Sequence, residues 1–323
     1  MGRDRPLRRA VAPCVPSAAL RAVRVALSTF RFGSSTVRRP VGRAKREIVR
    51  VAVGLIARVY FDISYGLLTE SVAGRRLLSL QAAGGGLVHG YFTSQDRDLL
   101  LADLDPAPGD RLLDLGCGVG GIALDLHRRS GAQILGLDLS PKAVFAATAQ
   151  ARRAGLDASV GFVVGDLSRP PRVGAANAYA IDSLMFVHDL GQTLRGIGDA
   201  LGSDGRLFAT LLVFGTGAEA RLRRSICAAG AGILRLEDAT PALVERSRAR
   251  TAAAVAMLRD ETTSLRGRLA MRLVIAEEGL VRALITAGRV GRWRFVLRYC
   301  PTTEREAAHS RPAATVASCV QTR

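Results

Sequence analysis

A glycine-rich turn between an apolar strand and a helix constrains the fold of this chain most. Residues 110–121 read Asp-Arg-Leu-Leu-Asp-Leu-Gly-Cys-Gly-Val-Gly-Gly, and a helical pattern follows from Ile122 to Arg129. Glycine lets the backbone approach a ligand closely, and the start of a helix offers free amide donors. The segment therefore predicts a strand, loop and helix unit of the nucleotide-binding kind.

Four further strands are predicted after this unit, and they alternate with helical segments. They lie at 133–138, 160–164, 176–181 and 206–213. An acidic residue stands at four successive strand ends, namely Asp114, Asp138, Asp166 and Asp182. This alternation predicts an α/β fold with a mostly parallel sheet, whose ligand binds at the carboxyl ends of the strands.

A nicotinamide- or flavin-dependent oxidoreductase is one interpretation of the turn. The spacing of Gly116, Gly118 and Gly121 satisfies the dinucleotide fingerprint, and Asp138 follows at the distance suited to ribose hydroxyls. Dinucleotide folds, however, usually have an apolar side chain where Asp114 stands. The oxidoreductase therefore remains the less favoured alternative.

Four motifs in order resemble those of class I S-adenosylmethionine-dependent methyltransferases: residues 113–120, 136–140, 165–167 and 181–189. The resemblance covers roughly residues 45–299. Residues 230–240 look like strand six of that family, and 292–299 look like its last strand. The resemblance implies a Rossmann-like sheet of seven strands, mostly parallel, with strand seven antiparallel between strands five and six. It also implies a helical amino-terminal segment and a helical lid between strands six and seven.

The resemblance also implies a set of cofactor-binding residues. Asp114 and the glycines would hold the methionine end, Asp138 the ribose hydroxyls, and Asp166 the adenine amine with Leu167 beside the ring. The full set is Tyr91, Asp114, Gly116, Cys117, Gly118, Gly120, Asp138, Leu139, Gly165, Asp166, Leu167 and Asp182. The cofactor implied is S-adenosylmethionine, and no metal is expected.

Three features favour the small-molecule branch of that family. An aromatic segment at 89–92 resembles one that crosses the cofactor in this branch, the helical composition of 241–288 resembles a lid over the acceptor, and the amino-methylating Asp/Asn-Pro-Pro-aromatic signature does not follow strand four. The acceptor atom could be oxygen, nitrogen or carbon. His188 is the candidate general base, because an imidazole titrates near neutral pH.

The domain organisation follows from changes in composition along the chain. We expect residues 1–43 to be a disordered Arg-rich arm, 44–300 a methyltransferase domain, and 301–323 a disordered tail. Within the domain, 44–109 would form a helical cap and 239–288 the lid. Glu237, Asp238 and the many arginines of the lid are expected to form a solvated face, with attraction of an acidic acceptor by some of these arginines as the less favoured alternative.

The distribution of charge and the cysteine content limit which partners can be expected. The chain has 46 Lys+Arg against 28 Asp+Glu, but thirteen basic and two acidic residues fall within the first 50. Nucleic-acid binding is therefore not expected of the folded part, although a nucleic-acid methyltransferase stays an alternative, as does a non-catalytic cofactor-binding module. Five scattered cysteines without CxxC predict neither disulfides nor zinc. We expect a cytoplasmic protein with a small-molecule acceptor, no membrane association and a possible homodimer.

Overall fold

The computed structural model describes residues 59–80, 87–88, 90–260 and 262–299 of the 323-residue chain. The predicted arm at 1–43 and the predicted tail at 301–323 lie outside the described residues. No helix in the described ranges has both the length and the apolar character needed to cross a membrane.

A seven-stranded sheet forms the centre of the fold. Its strands are β1 Arg111–Leu115, β2 Gln133–Asp138, β3 Val160–Val164, β4 Asn177–Ile181, β5 Arg206–Phe214, β6 Ala231–Asp238 and β7 Val290–Tyr299. Their order is β3-β2-β1-β4-β5-β7-β6. The first five strands pair in parallel, and β7 runs antiparallel to both β5 and β6. The predicted fold class, including the position and direction of strand seven, is confirmed.

Helices cover both faces of the sheet. They are α1 at 59–70, α2 Val72–Ser79, α3 Ser94–Leu104, α4 Gly121–Ser130, α5 Pro141–Arg153, α6 Leu190–Leu201, α7 Ala218–Ala228, α8 Thr240–Arg259 and α9 Leu265–Thr286. Helices α8 and α9 lie between β6 and β7 in the sequence. A single 3-10 turn, Leu184–Phe186, follows β4.

Local sequence explains where these elements begin. Ser140 caps α5 by accepting from the amide of Ala143 at 3.1 Å, and Pro141 occupies the first helical turn, where no amide donor is needed. Thr93 and Asp96 form a reciprocal capping box at α3. Strand β5 is buried over seven consecutive positions, as expected of an inner strand covered on both faces.

The hydrophobic core is divided by the sheet into two layers. Leu113, Leu115, Leu207 and Leu211 pack on one side with α6 and α7, and Leu112 packs on the other side with α3 and α4. A third cluster joins α1 and α2 to the lid helices through side chains that include Tyr65, Leu77, Met271 and Val274. This third cluster holds the helices over the carboxyl ends of the strands.

Candidate active site

A cavity of about 220 Å³ lies at the carboxyl ends of β1, β2, β4 and β5. Helix α1 and helix α9 close it from above. Its walls combine the glycine-rich turn with aromatic and aliphatic side chains from the helices. The position agrees with the rule that ligands bind outside the carboxyl ends of parallel strands.

The glycine-rich turn leaves no room for side chains at Gly116 and Gly118. Gly116 has a φ of 86° and Gly118 a φ of 53°, and both line the cavity. A Cβ on Gly116 would lie 2.3 Å from Cβ of Ser183, and one on Gly118 would lie 2.9 Å from Oη of Tyr65. Gly120 does not line the cavity: it is the N-cap of α4, with a φ of 84°. The turn is therefore a backbone surface against which a ligand can lie closely.

Asp138 ends β2 with its carboxylate at the cavity wall, beside Leu139. One oxygen accepts from the amide of Gly118 and the other from the amide of Ser140, both at 2.9 Å. These bonds fix the carboxylate, and its remaining acceptor positions fit the two hydroxyls of a ribose. Burial raises the pKa of Asp138 above its ordinary value, although both amide bonds oppose the rise.

Asp114 lies buried beneath the turn, behind the cavity wall. Its Oδ2 atom has no hydrogen-bond partner among the described residues. Burial raises the pKa of this carboxyl to about 8; the neighbouring hydroxyl of Tyr179 opposes the rise, and the charge of Asp138 adds to it. An unsatisfied buried carboxyl calls for a donor, so it fits the ammonium group of a bound amino-acid moiety.

The residues after β3 are only partly brought to the cavity. Leu167 lines it and is buried. Asp166 is half-buried and does not line it, because its Oδ1 accepts from the amide of Ser168 at 2.9 Å within the following turn. Gly165 also lies outside the lining. The apolar partner expected for an adenine ring is thus in place, whereas the expected partner for its amine faces its own turn.

Comparisons with known proteins agree with this geometry. Residues 112–205 match the family described as Methyltransferase domain. Methyltransferase GfsG of Streptomyces halstedii is 34% identical over 116 residues, which make up 35% of this chain and 42% of GfsG. The 27-O-demethylrifamycin SV methyltransferase of Amycolatopsis mediterranei is 31% identical over 139 residues, 39% of this chain and 51% of that protein. The chain thus spans about half, or less, of these relatives.

Solved structures show the same fold. The (4+2)-cyclase SpnF superposes with a TM-score of 0.62 at 22% identity, covering 77% of this chain and 97% of SpnF. A methyltransferase from Thiobacillus denitrificans gives a TM-score of 0.52 at 19% identity, covering 65% and 93%.

Residues 112–205 of this chain belong to a methyltransferase domain, and the sheet around them has the fold of S-adenosylmethionine-dependent methyltransferases. In that domain, eight of the twelve predicted cofactor-binding residues line the cavity: Tyr91, Gly116, Cys117, Gly118, Asp138, Leu139, Leu167 and Asp182. The other four, Asp114, Gly120, Gly165 and Asp166, stand behind or beside it. Cys117 is buried, and burial raises the pKa of its thiol, so it suits the filler role between glycines.

The methyltransferase domain does not place His188 where a general base is needed. The residue follows the 3-10 turn after β4, is exposed, and does not line the cavity. Its predecessor Val187 is turned into the core instead. His188 thus lies away from the cavity, contrary to the expectation that it reaches the acceptor, and other groups form the cavity wall.

Asp182 directly follows β4 and lines the cavity of the methyltransferase domain. Arg292 of β7 donates to both of its oxygens, and also to Asp96 of α3. Both carboxylate oxygens of Asp182 are thus committed to the guanidinium. Asp182 therefore shapes the wall and its charge, and Arg292 is a residue that sequence reasoning missed.

The lid of the methyltransferase domain carries a second buried ion pair. Arg250 of α8 donates from Nε to Glu278 of α9 at 2.6 Å, with both side chains almost fully buried. Tyr91 donates its hydroxyl to the same carboxylate at 3.2 Å, and the Arg250 guanidinium lies 5.8 Å from the centre of the Tyr91 ring. The expectation that the lid arginines form a solvated face is therefore wrong for Arg250, because the face of α8 that carries Arg250 packs against the cavity.

Several aromatic residues of the wall escaped the sequence analysis. Tyr60, Phe61 and Tyr65 come from α1, and the hydroxyl of Tyr60 donates to Glu277 of α9. The scarcity of tyrosine is a sequence signal that could have drawn attention to Tyr60 and Tyr65. The chain has five tyrosines, and three of them line this cavity: Tyr60, Tyr65 and Tyr91. Burial raises the pKa of Tyr60, and the Glu277 charge adds to that rise.

The described part of the methyltransferase domain offers no cluster of three or more His, Cys, Asp or Glu suited to a metal ion. Neither of its two described cysteines, Cys117 and Cys227, takes part in a disulfide.

Proposed function

We propose that this protein transfers a methyl group from S-adenosylmethionine to an oxygen, nitrogen or carbon atom of a small-molecule acceptor. One observation carries the proposal. A single cavity runs from the glycine-rich turn and Asp138 to a lid-covered region, the acceptor chamber, which is lined largely by Met185, Leu212, Phe214, Val281, Leu284 and Val290.

The cofactor supplies a methyl group activated by its sulfonium sulfur. The chain's own residues would bind and orient the two reactants. Asp138 would accept from the ribose hydroxyls, Asp114 from the ammonium group beneath the turn, and Leu167 would pack on the base. Tyr65 lies against the turn at Gly118, so that α1 closes the cofactor side. Alignment and exclusion of water by such walls are the main catalytic contributions open to the protein in a displacement at carbon.

The names of the matched relatives support a small acceptor. They include the rifamycin methyltransferase above and norajmaline N-methyltransferase of Rauvolfia serpentina, 33% identical over 105 residues. A ribosomal RNA methyltransferase of Azoarcus also matches, with 32% identity over 137 residues. The enclosed, largely apolar acceptor chamber favours the small molecule, since a polynucleotide needs an open, basic groove.

We further propose that the domain spans residues 44–300, that the protein acts in the cytoplasm on a diffusible acceptor without nucleic acid or membrane, and that it can form a homodimer. Sedimentation of the purified chain over a range of concentrations tests the last point. A mass that stays that of one chain at every concentration contradicts the dimer.

Calorimetric titration of the full chain tests the proposed function. We expect binding of S-adenosylmethionine and S-adenosylhomocysteine, and none of NAD or NADP. Asp138→Ala should lower the affinity for both ligands by at least about tenfold, because two hydrogen bonds from the ligand to a charged group are lost. Asp157→Ala, at an exposed site after α5, is the matched control and should bind normally. Binding of a nicotinamide cofactor alone would contradict the proposal.

A further inference from the structure

We propose that Glu277, together with Tyr60, forms a proton-accepting site on the acceptor side of the cavity. The acceptor then reacts through an atom that carries a hydrogen, a hydroxyl oxygen or an amine nitrogen, held on an apolar body. The inference rests on the proposed function and narrows its substrate class, because a carbon nucleophile without such a hydrogen makes no use of the site.

The two residues approach each other from opposite sides of the lid. Glu277 belongs to α9 and Tyr60 to α1, and both line the cavity. The Tyr60 hydroxyl donates its hydrogen to Oε1 of Glu277. The hydroxyl oxygen keeps lone pairs, and so does the carboxylate, so a ligand that donates a hydrogen can be received by either group.

The charged groups around the acceptor chamber pair with one another, whereas Glu277 accepts from the neutral hydroxyl of Tyr60. Arg250 pairs with Glu278, and Arg292 pairs with Asp182. Within the described residues, Glu277 takes part in no ion pair. A carboxylate that faces a cavity without a cation has its strongest remaining partner in a bound ligand.

Four ionisable groups face Glu277 from the packed elements: Tyr60 of α1, Tyr91 of the segment before α3, Arg250 of α8 and Glu278 of its own helix. Burial raises the pKa of Glu277 to about 7, while the Tyr60 hydrogen bond and the Arg250 charge oppose the rise and Glu278 adds to it. The carboxyl thus exchanges its proton near neutral pH, which is the range in which a general base works best.

The proton balance of the transfer then closes within the cavity. The acceptor's oxygen or nitrogen forms its bond to the methyl carbon, the bond from that carbon to sulfur breaks, and its electron pair stays on sulfur. The acceptor's hydrogen leaves as a proton to the free oxygen of Glu277. An amine that enters as an ammonium gives up one proton to the same carboxylate before it attacks, and the product then leaves as the methylated ammonium.

The walls around this site select the rest of the acceptor. Met185, Leu212, Val281 and Leu284 are aliphatic, and Phe186 and Phe214 are aromatic. Apolar area removed from water there contributes about 25 cal/mol per Å². A compound with one hydroxyl or amine on a hydrophobic frame therefore matches both parts of the acceptor chamber.

Three probes with the same hydrophobic body test the inference by binding alone. They are 3-phenylpropylamine, 3-phenylpropan-1-ol and propylbenzene, titrated calorimetrically into the full chain saturated with S-adenosylhomocysteine. Titrations are run at about pH 6 and about pH 8, on either side of the pKa of about 7. We expect the amine or the alcohol to bind at least about tenfold more tightly than propylbenzene. An amine acceptor is indicated if 3-phenylpropylamine binds more tightly at the higher pH, where the carboxylate is charged, and a hydroxyl acceptor if the alcohol is preferred.

Glu277→Gln should remove the preference and its pH dependence without changing the affinity for S-adenosylhomocysteine. Tyr60→Phe should weaken the preference and still bind that cofactor product. Glu245→Gln, at an exposed position of α8, is the matched control. Equal binding of the three probes, binding of none, or an unchanged preference in Glu277→Gln would overturn the inference. If the unmodified chain does not bind S-adenosylhomocysteine, that result contradicts the proposed function instead.

Discussion

Nε and Nη2 of Arg292 donate to the two carboxylate oxygens of Asp182 at 2.9 and 3.1 Å. The third nitrogen, Nη1, donates to Oδ2 of Asp96 at 3.1 Å. Arg292 belongs to the antiparallel strand β7, and Asp182 directly follows the parallel strand β4. The side chain therefore joins the last strand of the fold to a carboxylate in the cavity wall and to the start of α3.

Replacing Arg292 should be strongly destabilising, because the buried Asp182 loses its cation and the buried Asp96 keeps only Arg294. We expect Arg292→Met to lower the free energy of unfolding by about 3–5 kcal/mol, as measured by urea denaturation. Arg298→Met is the control on the same strand, since Arg298 and Asp204 form an exposed pair worth no more than about 1 kcal/mol. Similar losses in the two variants would contradict the importance given to burial.

The order of strands and the glycine-rich turn could be predicted because their signals are local. Apolar runs of five or six residues, a glycine at each tight turn and caps such as Ser140 are readable within a short window. Asp138 and Gly118 also belong to this category, since each stands next to the strand that positions it. Their places at the cavity follow from strand direction alone.

The acceptor side could not be predicted in this way, because its contacts join distant parts of the chain. Tyr60 and Glu277 are 217 positions apart, and Asp182 and Arg292 are 110 apart. Arginine-rich helices usually expose their charges, so the composition of the lid predicts a solvated position for Arg250. Composition does not reveal which side of a lid helix covers a cavity, and it gave no reason to prefer Glu277 over His188 as a proton acceptor.

The close approach at Gly116 gives a second prediction. Gly116→Ala forces a side chain into a backbone with a φ of 86° and within 2.3 Å of Ser183 Cβ. We expect the free energy of unfolding to fall by about 2–5 kcal/mol and the calorimetric affinity for S-adenosylmethionine to fall with it. Gly279→Ala is the control, because nothing lies within 4 Å of its Cβ position. In the interior of α9 that substitution should stabilise the protein by about 0.5–1 kcal/mol.

The raised pKa of Asp114 predicts a pH dependence of stability without cofactor. Its folded-state pKa of about 8 lies above the ordinary value of 3.8, so the folded state holds a proton that the unfolded state has released. The contribution of Asp114 to stability is therefore present at low pH and is lost as the pH rises through that window, by at most about 1.4 kcal/mol per unit.

Asp114→Asn should remove this contribution. Urea denaturation between about pH 5 and about pH 8 measures the free energy of unfolding of both proteins. We expect the value of the unmodified chain to fall steadily relative to that of the variant as the pH rises. Asp157→Asn, at an exposed position, should keep the profile of the unmodified chain. A pH-independent difference for Asp114→Asn would show that the carboxyl titrates alike in the folded and unfolded states.

The buried pair in the lid gives the last prediction. Arg250→Met removes the paired guanidinium from the buried carboxylate of Glu278, which keeps the Tyr91 hydroxyl, and should lower the free energy of unfolding by about 3–5 kcal/mol. The double variant Arg250→Met with Glu278→Leu should lose less than the sum of its single variants, with a coupling of at least about 1 kcal/mol. Urea denaturation of the four proteins measures that coupling. The exposed pair of Arg223 and Glu219 on α7 is the matched cycle and should couple by about 0.5 kcal/mol or less. Because α8 and α9 hold the lid through the buried pair, strictly additive effects there would mean that packing of apolar side chains alone positions Glu277 above the cavity.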